Sequence, residues 1–94
     1  MSKYLEKATE IAKLVEKKQE AYGDSFGKSW EILKVLYPNG VKIEQYIDLL
    51  STVRIIDKLF RIANQKSAFE ENPYDDIIGY SLLGSIKNIK NNDK

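Results

Sequence analysis

Between residues 43 and 65 the apolar side chains repeat with the period of a helix, and this constrains the fold more than any other stretch. At about 100° per residue, Leu49, Val53, Ile56, Phe60 and Ala63 fall on one line. Ile55, Leu59 and Ile62 widen that line to about half the circumference. A helix that is apolar so far round needs cover on several sides, so this segment is the expected central helix. Its remaining side is ordered as well. Arg54, Asp57, Lys58 and Arg61 stand at i, i+3, i+4 and i+7 and share one stripe.

Three further helices can be read around it. In residues 3–22, Leu5, Ala8, Ile11, Ala12, Val15 and Tyr22 recur at three-, four- and seven-residue steps, with Lys7, Glu10, Lys13, Lys17 and Glu20 between them. Gly23 suits the left-handed position just past a helix C-terminus. Asp24 or Ser25 can cap the helix that follows, expected over 26–36 with Phe26, Trp30, Leu33 and Leu36 facing inward. Pro38 and the Asn39-Gly40 pair end that helix in a turn. A last helix is expected over 73–88. Asn72 is placed to cap it, Pro73 to start it, and Asp75 and Asp76 to complement the positive end of its dipole. Ile77, Ile78, Leu82, Leu83 and Ile86 give it an apolar side, while Gly79, Ser81, Gly84 and Ser85 leave it small-surfaced, as if for close packing. The expected architecture is all-α, a compact four-helix arrangement with short loops. Residues 1–90 form a single helical domain and 91–94 a polar tail.

Composition narrows the chemistry. The 94 residues fit one domain and leave little core to spare. A formal charge of +1 gives no long-range field pointing to sequence-specific nucleic acid or to an anionic membrane. The chain has no cysteine and no histidine, so disulfides, thiolate chemistry, zinc fingers and the commonest general base are all excluded. No segment has the ~20 apolar residues of a membrane-spanning helix, and the opening residues carry no secretory pattern, so a cytoplasmic location is expected.

Four groups of residues carry possible chemistry. The turn Tyr22–Lys28 offers backbone N–H groups at a helix start, with Ser25 and Lys28 nearby, as a phosphate seat; the same residues also make an ordinary C-cap followed by an N-cap. The stripe Arg54, Asp57, Lys58, Arg61 can grip phosphate oxygens, guanidinium groups being bidentate partners for them; it can equally be a solvated face. Asp75 reads as a first-turn acid satisfying a helix dipole. Asp76, with Gly79 and Tyr80 one turn on, can face the basic stripe or a cation. Glu16 and Glu20, one turn apart, can hold a metal or simply be surface.

Three of these segments resemble the nucleotide-modification-associated domain 1 family of phages and bacteria. Lys17–Phe26, "KKQEAYGDSF", is similar to its lysine, Asp-Tyr-Gly and Ser/Asn-Phe pattern. Val53–Ile62, "VRIIDKLFRI", is similar to its Arg-x-x-Asp-Lys-x-x-Arg block, and Asp75–Leu83, "DDIIGYSLL", to its Asp-x-x-x-Tyr block. The order is shared, and together the blocks span about two-thirds of the chain. The resemblance implies an all-α domain, distantly similar to all-α nucleoside triphosphate pyrophosphohydrolases, that handles nucleotides. It points to Lys18, Tyr22, Gly23, Ser25, Arg54, Asp57, Lys58, Arg61, Asp76 and Tyr80. The chain departs from the family at Ala21, where the pattern has Asp. It also lacks the full Glu-x-x-Glu and Glu-x-x-Asp set of the pyrophosphohydrolases.

The resulting expectation is a phage-type protein that binds a nucleotide or nucleotide-derived signal without turnover, with an anti-defence role by sequestration. It has no catalytic residue, no metal ligand and no cofactor. Arg54, Lys58 and Arg61 hold phosphates, while Tyr22, Trp30 or Tyr80 stack on a base or line the pocket. One alternative is a Mg²⁺-dependent pyrophosphohydrolase using Glu16, Glu20, Asp57 and Asp76. Another is a protein-interaction module that inhibits a host defence protein. In each case the surplus of apolar residues favours self-association, with a two-fold dimer as the default.

Overall fold

A computed structural model of the chain describes residues 2–92, with side chains through residue 87. Four α-helices pack together, and there is no strand among the described residues. They are α1 (Lys3–Tyr22), α2 (Ser25–Leu36), α3 (Tyr46–Ala63) and α4 (Pro73–Asn92), with short 3₁₀ turns at Ile43–Gln45 and Ala68–Glu70. The fold is therefore all-α, and none of the described helices is long and apolar enough to cross a membrane. Helix α3 is central: α1, α2 and α4 all pack on it. Helix α4 continues to Asn92, beyond the end expected at 88, and residues 93 and 94 of the expected tail lie outside the described residues.

The helix ends follow from their cap residues. Ser2 accepts a hydrogen bond from the Leu5 N–H to start α1, which stops at Gly23 with φ +58°. A side chain at Gly23 would meet that of Asn64, at the end of α3, so close approach adds to the conformational demand for glycine there. Asn72 accepts from the Tyr74 N–H at 3.0 Å and Pro73 begins α4. Pro38 follows the end of α2, and Gly40, at φ +86°, closes the turn by donating to the Tyr37 carbonyl at 3.1 Å.

Two expected faces are corrected. Helix α2 turns Ser25 and Ser29 inward, not Phe26 and Trp30; Phe26 is 94% exposed, Trp30 and Leu36 are exposed too, and Leu33 is half-buried. The two serines, one turn apart, are small enough for close helix approach, and the Ser29 hydroxyl donates back to the Ser25 backbone carbonyl, so it is not left unpaired at that contact. Helix α4 turns Pro73, Asp76, Ile77, Tyr80 and Gly84 towards the body, leaving Ile78, Leu82, Leu83 and Ile86 exposed. Among the described residues nothing lies within 4 Å of the Cβ position at Gly79 or Gly84, so no close packing there offsets the cost of those glycines.

The fully covered interior is small. Ile56, Ala21 and Pro73 are its buried apolar members, and most of the α3 apolar face is half-buried. Every residue of α1 from Lys3 to Glu20 is exposed.

Candidate functional site

Where the C-terminal turn of α1 meets α3 and α4, a cavity of about 320 Å³ opens to solvent. Helix α1 contributes Lys18, Gln19 and Tyr22, a set made by the three- and four-residue spacing of one helix face. Helix α2 contributes Ser25, its first residue. Helix α3 contributes Arg54, Asp57 and Lys58, and helix α4 contributes Tyr80. Its volume lies at the lower end of the ~300–1,000 Å³ usual for ligand pockets.

The cations within it are held differently. Lys58 Nζ lies 3.3 Å from Asp76 Oδ2 and 3.5 Å from the Tyr22 hydroxyl, and sits over the Tyr22 ring. Burial opposes the charge on Lys58, but the hydrogen bond to Asp76 and the adjacent Tyr22 outweigh it, and the ammonium pKa is held above its ordinary value. Lys58 is thus already neutralised by a carboxylate. Arg54 is not: its guanidinium lies over the Tyr80 ring, 5.7 Å from the centroid, and it makes no ion pair among the described residues. The stacking fixes the guanidinium plane without consuming its N–H donors. Lys18 makes no ion pair among the described residues either.

Arg61 is elsewhere. It is fully buried, and its donors are turned onto the loop between α3 and α4. Nη1 donates to Glu71 Oε2 at 3.0 Å, and Nη2 is shared among the carbonyls of Lys66, Ala68 and Glu71 at 2.7–2.9 Å. Its guanidinium lies between the rings of Tyr22 and Phe69, 5.9 Å from each centroid. The loop it holds has two consecutive non-glycine residues in the left-handed region, Phe69 at φ +61° and Glu70 at φ +55°. Each such residue costs about 1–2 kcal/mol, and the three captured carbonyls offset that. Only Nε is buried without a partner.

The chain matches no protein-family profile, no curated protein and no solved structure.

Of the residues singled out in the sequence, Lys18, Tyr22, Ser25, Arg54, Asp57, Lys58 and Tyr80 line the cavity, and Asp76 adjoins it through Lys58. Gly23 is the α1 cap and does not line it. Trp30 lies on the outer side of α2 with Lys34 Nζ 5.0 Å above its ring. Lys28 is exposed on α2 and does not line the cavity. The opening turn is less available than its sequence implies. Asp24 Oδ1 accepts from the Gly27 N–H at 3.2 Å and from Gln19 Nε2 at 2.8 Å, so the chain's own carboxylate occupies part of the α2 N-terminus. Glu16 and Glu20 are exposed on α1, and no group of three or more acids among the described residues is placed to hold a metal ion.

Sequence reasoning passed over Gln19 and Glu71. Gln19 was legible as the residue one turn from Val15 and from Tyr22 on the same face. For Glu71 no local signal exists, because its role depends on a non-helical loop that brings it back to Arg61.

Proposed function

We propose that the cavity seats the phosphate of a nucleotide or nucleotide-derived signal and holds it without turnover. The observation that carries this is the state of Arg54: a guanidinium stacked on Tyr80 at a cavity rim, with no carboxylate paired to it among the described residues. Bidentate donation to phosphate is the strongest use of such a group. Lys18 adds a second cation and Ser25 a hydroxyl. Tyr22 and Tyr80 present rings to a base or ribose.

Binding is favoured over hydrolysis because Asp76 is engaged by Lys58, which leaves Asp57 as the one carboxylate lining the cavity. Cleavage of a phosphoanhydride calls for metal-held charge neutralisation and a positioned water. The reading agrees with the resemblance to the nucleotide-modification-associated domain 1 family. A small phage protein of this kind, self-associated in the host cytoplasm, would act against defence by sequestering a nucleotide signal.

Calorimetry against mononucleotides, cyclic dinucleotides and ADP-ribose derivatives tests the proposal. At least one is expected to bind with a Kd well below millimolar and to lose that affinity in Arg54→Ala. If none binds at or below millimolar concentration, the reading is wrong.

A further inference from the structure

The same face of α1 has two fates. Lys18, Gln19 and Tyr22 line the cavity, while Ala8, Ile11, Ala12 and Val15, each seven residues earlier on the same face or continuing it, are exposed. Tyr4 and Leu5 extend that stripe to the start of the helix and are exposed as well. Charges border it without crossing it: Lys7 flanks it one turn from Tyr4 and Ile11, Glu16 flanks it beside Leu5 and Ala12, and Glu6, Glu10, Lys13 and Lys17 lie on the opposite face.

We infer that the chain works as a two-fold pair in which α1 of one copy lies antiparallel on α1 of the other, so that the second copy supplies the missing wall beside the cavity. The wall's part in ligand binding rests on the functional reading above; the pairing does not.

Surface area argues for a stable partner. The chain exposes 7628 Å², whereas a folded monomer of its mass exposes about 5,500 Å². The surplus, about 2,000 Å² per chain, is shared between α1 and exposed apolar side chains such as Ile78, Leu82 and Leu83 on α4, and it is more than twice the ~800 Å² per partner that a standard interface needs. The stripe is also self-complementary. Laid on itself about its centre, it sets Ala8 against Ala12, where small side chains allow close approach, and Leu5 against Val15. Antiparallel is the workable sense because α2, α3 and α4 are all gathered at the C-terminal end of α1. A parallel pair would bring two such bodies to the same place; an antiparallel pair separates them and opposes the helix dipoles.

This arrangement fills a feature that is otherwise unexplained. An apolar groove of about 390 Å³ lies beside the cavity, lined by Val15, Lys18, Gln19 and Phe26. The partner's Leu5 falls against Val15 there, under the exposed Phe26 ring. Helical side chains lean towards their own N-terminus, so the partner's Tyr4 leans towards Lys18 and Gln19, which line groove and cavity alike.

The absence of cysteine makes the test direct. Sedimentation at about 10 µM is expected to give twice the chain mass, falling to the single-chain mass with helix content retained in Leu5→Glu/Ile11→Glu. With a short bis-maleimide, Ile11→Cys is expected to link into covalent pairs and Lys13→Cys, on the far face, is not. A mixture of Tyr4→Cys and Gln19→Cys chains is expected to link, whereas neither variant alone does so. A wild-type protein of single-chain mass overturns the inference. So does linking of Lys13→Cys as efficient as that of Ile11→Cys, or linking of Tyr4→Cys alone as efficient as the mixture. None of these measurements uses a ligand, so their failure is separate from a failure of nucleotide binding.

Discussion

Arg54 and Arg61 stand two turns apart on one face of α3 and do opposite things. Arg54 is exposed at the rim of the cavity, propped on Tyr80, with no carboxylate paired to it among the described residues. Arg61 is sealed under the α3–α4 loop, with Nη1 and Nη2 turned onto Glu71 and three carbonyls. A row of cations at helical spacing therefore fixes a direction but not a depth. What sets the depth is the neighbour. Arg54 faces the side of α4, an open helix surface, and Arg61 faces the chain segment that must return from α3 to α4. The first arrangement leaves a charge able to recognise something; the second uses a charge to hold backbone in an otherwise costly shape.

The sharpest way to break this contrast is to remove Arg61. Arg61→Ala leaves three loop carbonyls without their donor and empties a fully buried site, while Glu71, half exposed, returns to water, so a loss of about 3–5 kcal/mol is expected from the cavity and the unmade hydrogen bonds. At this chain length each kcal/mol moves Tm by about 4–8 °C, so thermal unfolding should fall by well over ten degrees. Arg61→Lys should recover little, since one ammonium cannot span the Glu71 carboxylate and three carbonyls. A Tm drop of only a few degrees in Arg61→Ala would mean that the loop holds itself.

Arg54→Ala should do the reverse. Stability should fall by no more than about 1 kcal/mol, the worth of the exposed contact with the Tyr80 ring. Affinity for whichever nucleotide binds should fall by about 10- to 150-fold, the equivalent of roughly 1.5–3 kcal/mol for a hydrogen bond to a charged group. Titration calorimetry and a melting curve on the same preparation check both halves. A smaller step in the same direction is Tyr80→Leu. It keeps bulk but removes the ring beneath the guanidinium, so affinity should fall by about two- to fivefold, the worth of an exposed cation–π contact at ~0.5–1 kcal/mol.

The sequence already held most of the frame. The central helix is marked by Leu49, Val53, Ile56 and Phe60, and the helix ends by Gly23, Pro38, Asn72 and Pro73, because caps and breakers act through local backbone geometry that needs no knowledge of the fold. The cavity was legible in part, since Lys18, Tyr22, Arg54, Lys58 and Tyr80 all stand on helix faces that spacing defines. Two things were not. The loop that captures Arg61 turns through Phe69 and Glu70, which give no hint of a left-handed backbone; only the tertiary contact makes that conformation affordable. And α2 buries Ser25 and Ser29 in place of Phe26 and Trp30. Residue type ranks the tendency to be buried, but the contact with α3 goes to whichever face allows the closest approach.

The smallest expected effect concerns Lys58, which lies between the two arginines in sequence and in character. It lines the cavity as Arg54 does, yet it has a carboxylate partner as Arg61 does. Its pKa is raised in the folded chain, with burial more than offset by Asp76 and Tyr22. A lysine whose folded pKa exceeds its unfolded pKa contributes its stabilisation fully below the unfolded value, about 10.4, and loses it as pH rises through the folded value. The wild-type protein should therefore be more stable than Lys58→Gln near neutral pH, by roughly 0.5–1 kcal/mol for a partly covered ion pair. That margin should shrink only above the ordinary lysine range. Melting curves of both proteins from pH 7 to pH 11 measure it, and Asp76→Asn should flatten the same alkaline loss. If the margin instead vanishes between pH 7 and pH 9, the ammonium is not held by Asp76, and Lys58 would join Arg54 and Lys18 as a cation open to phosphate.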